Sequence, residues 1–201
     1  MLYNPVLRST FMPLPVALIS TISDTGVRNI APYSCLMPIL RPLDLVCLAS
    51  AFRRDTLANI TENREFVVNL PGIDLADKVM PTAKASAPEV DEFDLAGLQS
   101  KTSNMVLPPG ILGCYAWMEC QWVREHRELE YVLLVGKVLR LEVSDRVLDQ
   151  EGKLDVDKAQ PMMMVGSKQG MHFCTVRDVA RFEPFSAMFA DGQDPAAPPD
   201  A

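Results

Sequence analysis

The sequence predicts a mainly β fold, a β-barrel with short helices set between its strands. Three observations predict it. Apolar stretches of strand length recur along the chain. Two long alternating segments near 114–143 face each other across a charged connection, and a glycine sits inside the second. Strands and helices do not alternate regularly, so a doubly wound parallel sheet is not expected.

The elements follow in order. Residues 15–22, PVALISTI, predict a buried strand rich in Val, Ile and Thr. Ser23 to Gly26 supply a turn, with Gly26 suited to positive φ. Residues 29–34, NIAPYS, read as neither a good strand nor a good helix. Pro32 fixes φ and lacks an N–H, so the segment is not expected in a central ladder. Residues 44–50, DLVCLAS, predict the second strand. Asp55 or Thr56 is positioned to cap a helix over 56–63, with Leu57 and Ile60 inward. Glu65–Leu70 returns as a strand, and 73–80 predicts a short helix stopped by Pro81.

From Thr82 to Pro109 the chain is mixed and polar. It reads as a surface excursion with a helical turn at FDLAGL, 93–98. Residues 114–122 alternate with period 2: Cys114, Ala116, Met118, Cys120 and Trp122 share one face. A charged connection over 124–130 leads to a partner strand, 131–143, in which Gly136 suggests a bulge or barrel bend. A charged segment with a loop at Gly152 follows, then a glycine-containing stretch and a strand at HFCTV, 172–176. Met162, Met163 and Met164 are expected in the core, because methionine fills irregular gaps. A single domain is expected over 1–189, with a disordered Pro- and Ala-rich acidic tail over 190–201.

The totals exclude several classes. The 201 residues can bury a full core, and 48% are hydrophobic, so the chain is not a disordered one. A formal charge of -7 argues against a general nucleic-acid binder. Five cysteines without CxxC spacing and two distant histidines, His126 and His172, argue against a disulfide framework and a metal site. No signal-like or membrane-spanning apolar run shows, so a reduced cytoplasmic location is expected. Neither GxGxxG nor GxxxxGK[ST] is present, and no Ser/His/Asp arrangement or paired carboxylates suggest a protein-borne catalytic group.

Two stretches carry candidate chemistry. RRDT, 53–56, sets Arg53 and Arg54 directly before a helix start. Helix starts carry unpaired N–H groups and partial positive charge, and guanidinium forks match phosphate oxygens. With hydroxyls from Ser50 and Thr56, this is either an anion site or an ordinary capped helix with solvated arginines. NIAPYS is either a barrel-edge strand protected by its proline or a ligand-facing segment, with Ala31 permitting close approach of a planar group.

The order of the two stretches supplies a resemblance. PVALISTISDTGVRNIAPYS followed by LASAFRRDTLANITENREFVVNL resembles the opening of the flavin reductase-like, FMN-binding split-barrel family, of the flavoredoxin type. FDLAGL, the 114–143 hairpin and the glycines near 166–173 agree more loosely, so the resemblance spans about residues 10–180. MMMVGSKQGMHF departs from the family pattern of paired glycines and an aromatic ending.

The resemblance implies a Greek-key-like FMN-binding split barrel and a homodimer. It implies that Asn29, Ile30, Ala31, Pro32, Tyr33 and Ser34 run along the isoalloxazine ring, with backbone N–H groups toward it. Ser50, Arg53, Arg54 and Thr56 would contact the ribityl phosphate, with Asp55 orienting the loop and Thr21 near the ribityl chain. His172 would sit where the family closes the site, as a contact to nicotinamide or substrate or as a half-buried strand-start residue. The implied activity is NAD(P)H-dependent flavin reduction, with hydride accepted at flavin N5 from NADH or NADPH and passed to a small-molecule or flavin acceptor. The alternative is an FMN-holding electron carrier with no nicotinamide site.

Overall fold

The computed structural model describes residues 2, 4, 11–39, 44–167, 169–180 and 185–193. Strands dominate it. They are β1 (Leu14–Pro15), β2 (Ala17–Ile22), β3 (Arg28–Tyr33), β4 (Leu36–Pro38), β5 (Leu45–Ala51), β6 (Glu65–Leu70), β7 (Ser100–Lys101), β8 (Gly110–Ile111), β9 (Ala116–Arg127), β10 (Tyr131–Val143), β11 (Met162–Ser167) and β12 (Gly170–Thr175). The helices are α1 (Asp55–Asn63), α2 (Ala76–Ala83), α3 (Glu92–Ala96) and α4 (Val156–Ala159). Seven strands form one antiparallel sheet in the order β3-β2-β6-β9-β10-β5-β4. A smaller sheet, β1-β11-β12, lies beside it.

The sheet buries both faces, and the alternation of β2 shows how. Leu18 packs with Ile30, Val67, Phe93, Ile111, Trp117 and Met162 on one side. Ala17 and Ile19 pack with Val46, Leu48, Phe66, Val68, Val132 and Leu134 on the other, where Leu57 and Ile60 of α1 plug the curl of the sheet. A strand apolar on both faces is what PVALISTI reads as. On β9, Met118, Cys120 and Trp122 share the inner cluster. Trp117 belongs to the outer one, and Glu119 beside it, 3% exposed, takes the backbone N–H of Asn104 at 2.9 Å. The polar stretch 100–111 therefore covers a sheet face rather than only wandering over the surface.

Several expectations change. NIAPYS is mostly strand: β3 is the edge of the large sheet, with Leu18 opposite Pro32. The proline is tolerated because an edge strand leaves one side of its backbone unladdered. β9 does not stop at 122 but runs to Arg127, because Arg124–Arg127 stay in register with Val132–Val135; only 128–130 connect the pair. Pro81 does not stop α2, since Val79 and Thr82 are buried on its inner side and the Thr82 hydroxyl donates to the Val79 carbonyl at 2.8 Å. Met162 is buried as expected, while Met163 and Met164 are half-buried. Of the expected tail, residues 194–201 lie outside the described residues.

Gly136 lies at a register shift between β9 and β10, as the sequence suggests. An added Cβ there would stand 2.4 Å from Phe66 Cζ and 2.8 Å from Cε1. Phe66 is 1% exposed, so the ring has no free space into which to move. Gly136→Ala should therefore destabilise the fold by about 1–3 kcal/mol through overpacking. Chemical denaturation measures this, and an unchanged midpoint would show that the ring relaxes freely.

Candidate functional site

The chain itself closes the split in the barrel. β3 forms one edge of the large sheet and β4 the other, yet only Ser34 and Cys35 separate them in sequence. The chain thus steps directly from one edge to the other. Two contacts fix the step: Ala49 N–H donates to the Cys35 carbonyl at 2.9 Å, and Tyr33 Oη lies 3.1 Å from Ser50 Oγ. Beside it opens a cavity of about 420 Å³, within the usual size of small-molecule sites. Its walls are β3 and the step, the end of β5 with the start of α1, and residues 82–86 at the end of α2 and just beyond it.

The α1 wall is the cationic end. Arg53 adopts a left-handed φ of 62°, and Arg54 is the N-cap residue. No side chain caps this helix, contrary to the expected Asp55 or Thr56 cap. Thr56 is instead inside the first turn, with its hydroxyl donating to Asn29 Oδ1 at 3.1 Å. Asp55 also lies in the first turn, where a carboxylate suits the positive helix end. The first-turn N–H groups therefore lack a side-chain acceptor. Neither Arg53 nor Arg54 has an ion pair or side-chain hydrogen bond among the described residues. Lys84 adds a third cation to the cavity lining.

The hydroxyl donors expected here are spent elsewhere. Ser50, 2% exposed, donates to the Ala51 carbonyl at 3.2 Å, which leaves it to accept from Tyr33. Thr56 is committed to Asn29. The row of backbone donors along β3 is also shorter than expected. Ile30 N–H goes to Glu92 Oε2 at 2.7 Å, so it does not join the β2 ladder. Antiparallel alternation then turns Ala31 and Tyr33 toward β2, and outward-facing Pro32 has no N–H.

A buried polar network lies behind this wall. Glu92 is 4% exposed. Its Oε2 accepts from Asn29 Nδ2 at 2.6 Å as well as from Ile30, and its Oε1 accepts from the Ser86 hydroxyl at 2.8 Å. Asn29 Oδ1 accepts from Thr21 at 3.2 Å, and Thr21 in turn accepts from Asn59 Nδ2 at 3.0 Å. One residue earlier, Arg28 Nε meets Asp91 Oδ2 at 2.6 Å and its guanidinium stacks over Phe93. The start of α3 is thus clipped along the free edge of β3. Burial pushes the Glu92 carboxyl above its usual range. The Ile30 and Ser86 bonds pull it back, while Asp55 and Asp91 push it further up.

Of the residues singled out in the sequence, Asn29, Ala31, Pro32, Tyr33, Ser34, Arg53, Arg54, Asp55 and Thr56 line the one cavity. Thr21, Ile30 and Ser50 stand behind its walls: Thr21 in the polar network, Ile30 in the outer core and Ser50 at the barrel closure. His172 is apart from the cavity, exposed on β12 with its Nε2 2.7 Å from Ser167 Oγ. Lys84, Ser86 and Glu92 line the cavity without having been singled out. Asp91 caps α3 just before FDLAGL, and nothing in the sequence links Glu92 to a strand some sixty residues earlier.

A family model described as "Flavin reductase like domain" matches residues 7–172. The chain belongs to this flavin reductase-like family. An uncharacterized protein of Methanothermobacter thermautotrophicus is 53% identical to it over 195 residues, covering 94% of this chain and 92% of its own. Among solved structures, the flavoredoxin of Desulfovibrio vulgaris (Miyazaki F) superposes with a TM-score of 0.81 at 17% identity, covering 94% of this chain and all of its own. Nitrilotriacetate monooxygenase component B from Bacillus cereus gives 0.79 at 23% identity, covering 90% and 98%. These structures share the fold, a split barrel of the flavin reductase-like type, as the resemblance implies. No helix among the described residues is long and apolar enough to cross a membrane.

Glu92 gives this site a pH signature. Its folded value lies above the ordinary 4.5, so its protonated form favours the fold. That contribution is present below the unfolded value and is lost as pH rises through the raised folded value. Glu92→Gln should therefore gain stability relative to the parent protein as pH climbs from about 4 to about 8. Urea denaturation at each pH reads the difference, and a constant difference across the range would contradict the shift.

Proposed function

We propose that the cavity binds FMN and that the protein is a flavin-dependent oxidoreductase that draws electrons from NADH or NADPH. One observation carries this reading: two arginines without partners among the described residues directly precede an uncapped helix start at one end of a cavity that has an edge strand of small and flat side chains as another wall. The residues fit the group. Arg53, Arg54 and the first-turn N–H groups of α1 hold the phosphate, with Lys84 adding charge. Ala31, Pro32 and Tyr33 with Ala49 and Ala51 offer a low-relief wall to a ring system. Asn29 supports that wall through the polar network, and Tyr33 is fixed by its bond to Ser50. When bound, the flavin supplies hydride acceptance at N5 and onward transfer of electrons singly or in pairs. The chain's own task is to bind, orient and leave one ring face reachable. The reading includes a homodimer, as the resemblance implies, and a small molecule or flavin as acceptor.

A second reading is an FMN-holding electron carrier. It is favoured by the placement of His172, the residue expected on the nicotinamide side, away from the cavity of its own chain. Anaerobic mixing of FMN-loaded protein with NADH or NADPH separates the two. Rapid bleaching of the flavin bands supports the reductase; a yellow protein that neither nucleotide bleaches supports the carrier.

The phosphate site has its own test. Arg53→Ala combined with Arg54→Ala removes two charge-assisted contacts and should weaken FMN binding by about tenfold or more. Unchanged affinity would place the phosphate elsewhere. Cys35, exposed at the cavity, gives a readout independent of activity. Its alkylation should slow when FMN is added, and an unaltered rate would count against occupancy of this cavity.

A further inference from the structure

Resting on the flavin reading above, we propose that Glu92 is a positioning residue for the FMN cavity, acting through the side-chain amide of Asn29. The argument begins with what a carboxylate can do. Ionised, it only accepts, so the Asn29 atom 2.6 Å from Oε2 is the amide nitrogen. The amide oxygen must then face Thr21 and Thr56, as it does at 3.2 Å and 3.1 Å. Both of its lone pairs are thereby used, and the amide cannot rotate without breaking three bonds. Its second Nδ2 hydrogen has no partner among the described residues, although Asn29 is 8% exposed and lines the cavity. A buried donor kept without a partner is costly, and a bound ligand acceptor relieves that cost.

Glu92 also ties two walls together. Oε2 holds β3 through Asn29 and Ile30, and Oε1 holds the facing segment through Ser86. A single side chain thus fixes the separation of the walls and the direction of the donor. Burying this carboxyl works against the fold at neutral pH, as the direction of its shift shows.

Three substitutions test the assignment. Glu92→Gln can place its oxygen where Oε2 stands, keeping the Asn29 and Ile30 bonds while removing the charge. Glu92→Asp keeps the charge but shortens the arm by one methylene, so it cannot reach Asn29 and Ser86 together. Glu92→Ala removes both. FMN affinity should fall in the order parent, Gln, Asp, Ala, with Gln within about threefold of the parent and Ala weaker by about tenfold or more. At saturating FMN, the visible band shape should match the parent in Glu92→Gln and move toward that of free flavin in Glu92→Asp. In an Asn29→Ala background the Glu92 substitutions should cost little further affinity, because the pair acts as one unit.

Glu92→Asp binding better than Glu92→Gln would overturn the proposal, as would additive losses in the Asn29 background. The Gln and Asp variants decide the matter even if Glu92→Ala does not fold. Failure of the parent protein to bind FMN would overturn both this proposal and the flavin reading; tight binding by the parent with the wrong order of variants would overturn this proposal alone.

Discussion

An antiparallel sheet that curls but does not pair its last two strands must close in some other way. Here the closure is covalent. The chain leaves one edge at Tyr33 and enters the opposite edge at Leu36, with the step held by the Ala49–Cys35 bond and by Tyr33 against Ser50. Every feature of the cavity depends on that step. It brings the end of β5 and the start of α1 alongside β3, although these pieces occupy opposite ends of the sheet order. The arginines just before α1 and the small residues of β3 share one opening for this reason, and for no reason of local sequence.

The closure leaves one problem, which is the free side of β3. Its outward backbone positions lie beside a cavity and cannot pair with a further strand. The protein answers with a side chain. The Glu92 carboxylate takes the Ile30 N–H, and Pro32 has none to offer. The side chains of Arg28 and Asn29 are held by Asp91, Asp94 and Glu92. The start of α3 thus stands in for a neighbouring strand, and the same contacts order the cavity wall. The fold's need to satisfy an edge and the site's need for fixed geometry are met by one set of atoms.

Much of this was legible in the sequence. PVALISTI, EFVVNL and YVLLVGKVLRLEV read as strands because their apolar content and β-branched residues suit only that state, and Gly136 marked its own bulge. The cluster RRDT and the segment NIAPYS were legible as candidates from residue chemistry, and their order gave the resemblance. What was not legible depends on long-range packing. The extension of β9 through charged Arg124–Arg127 comes from pairing with β10, which overrides local polarity. The commitment of the Ser50 and Thr56 hydroxyls depends on which strands become neighbours. Glu92 and Ser86 sit in a stretch of unremarkable polar residues, and only the fold sets them against β3. His172 shows the converse: its place in the sequence pattern was suggestive, yet within its own chain it stands on a separate sheet.

The clip of α3 onto β3 has a consequence for the strand edge beneath it. The wall over residues 82–92 is built from the end of α2, a loop and the start of α3. Behind that segment, the free side of β3 carries the Arg28 and Ile30 N–H groups and then, two residues on, a proline. The row of outward donors that a foreign strand would need stops at Pro32. Beneath the clip, β3 is thus an edge with which a further strand could pair only over a short stretch.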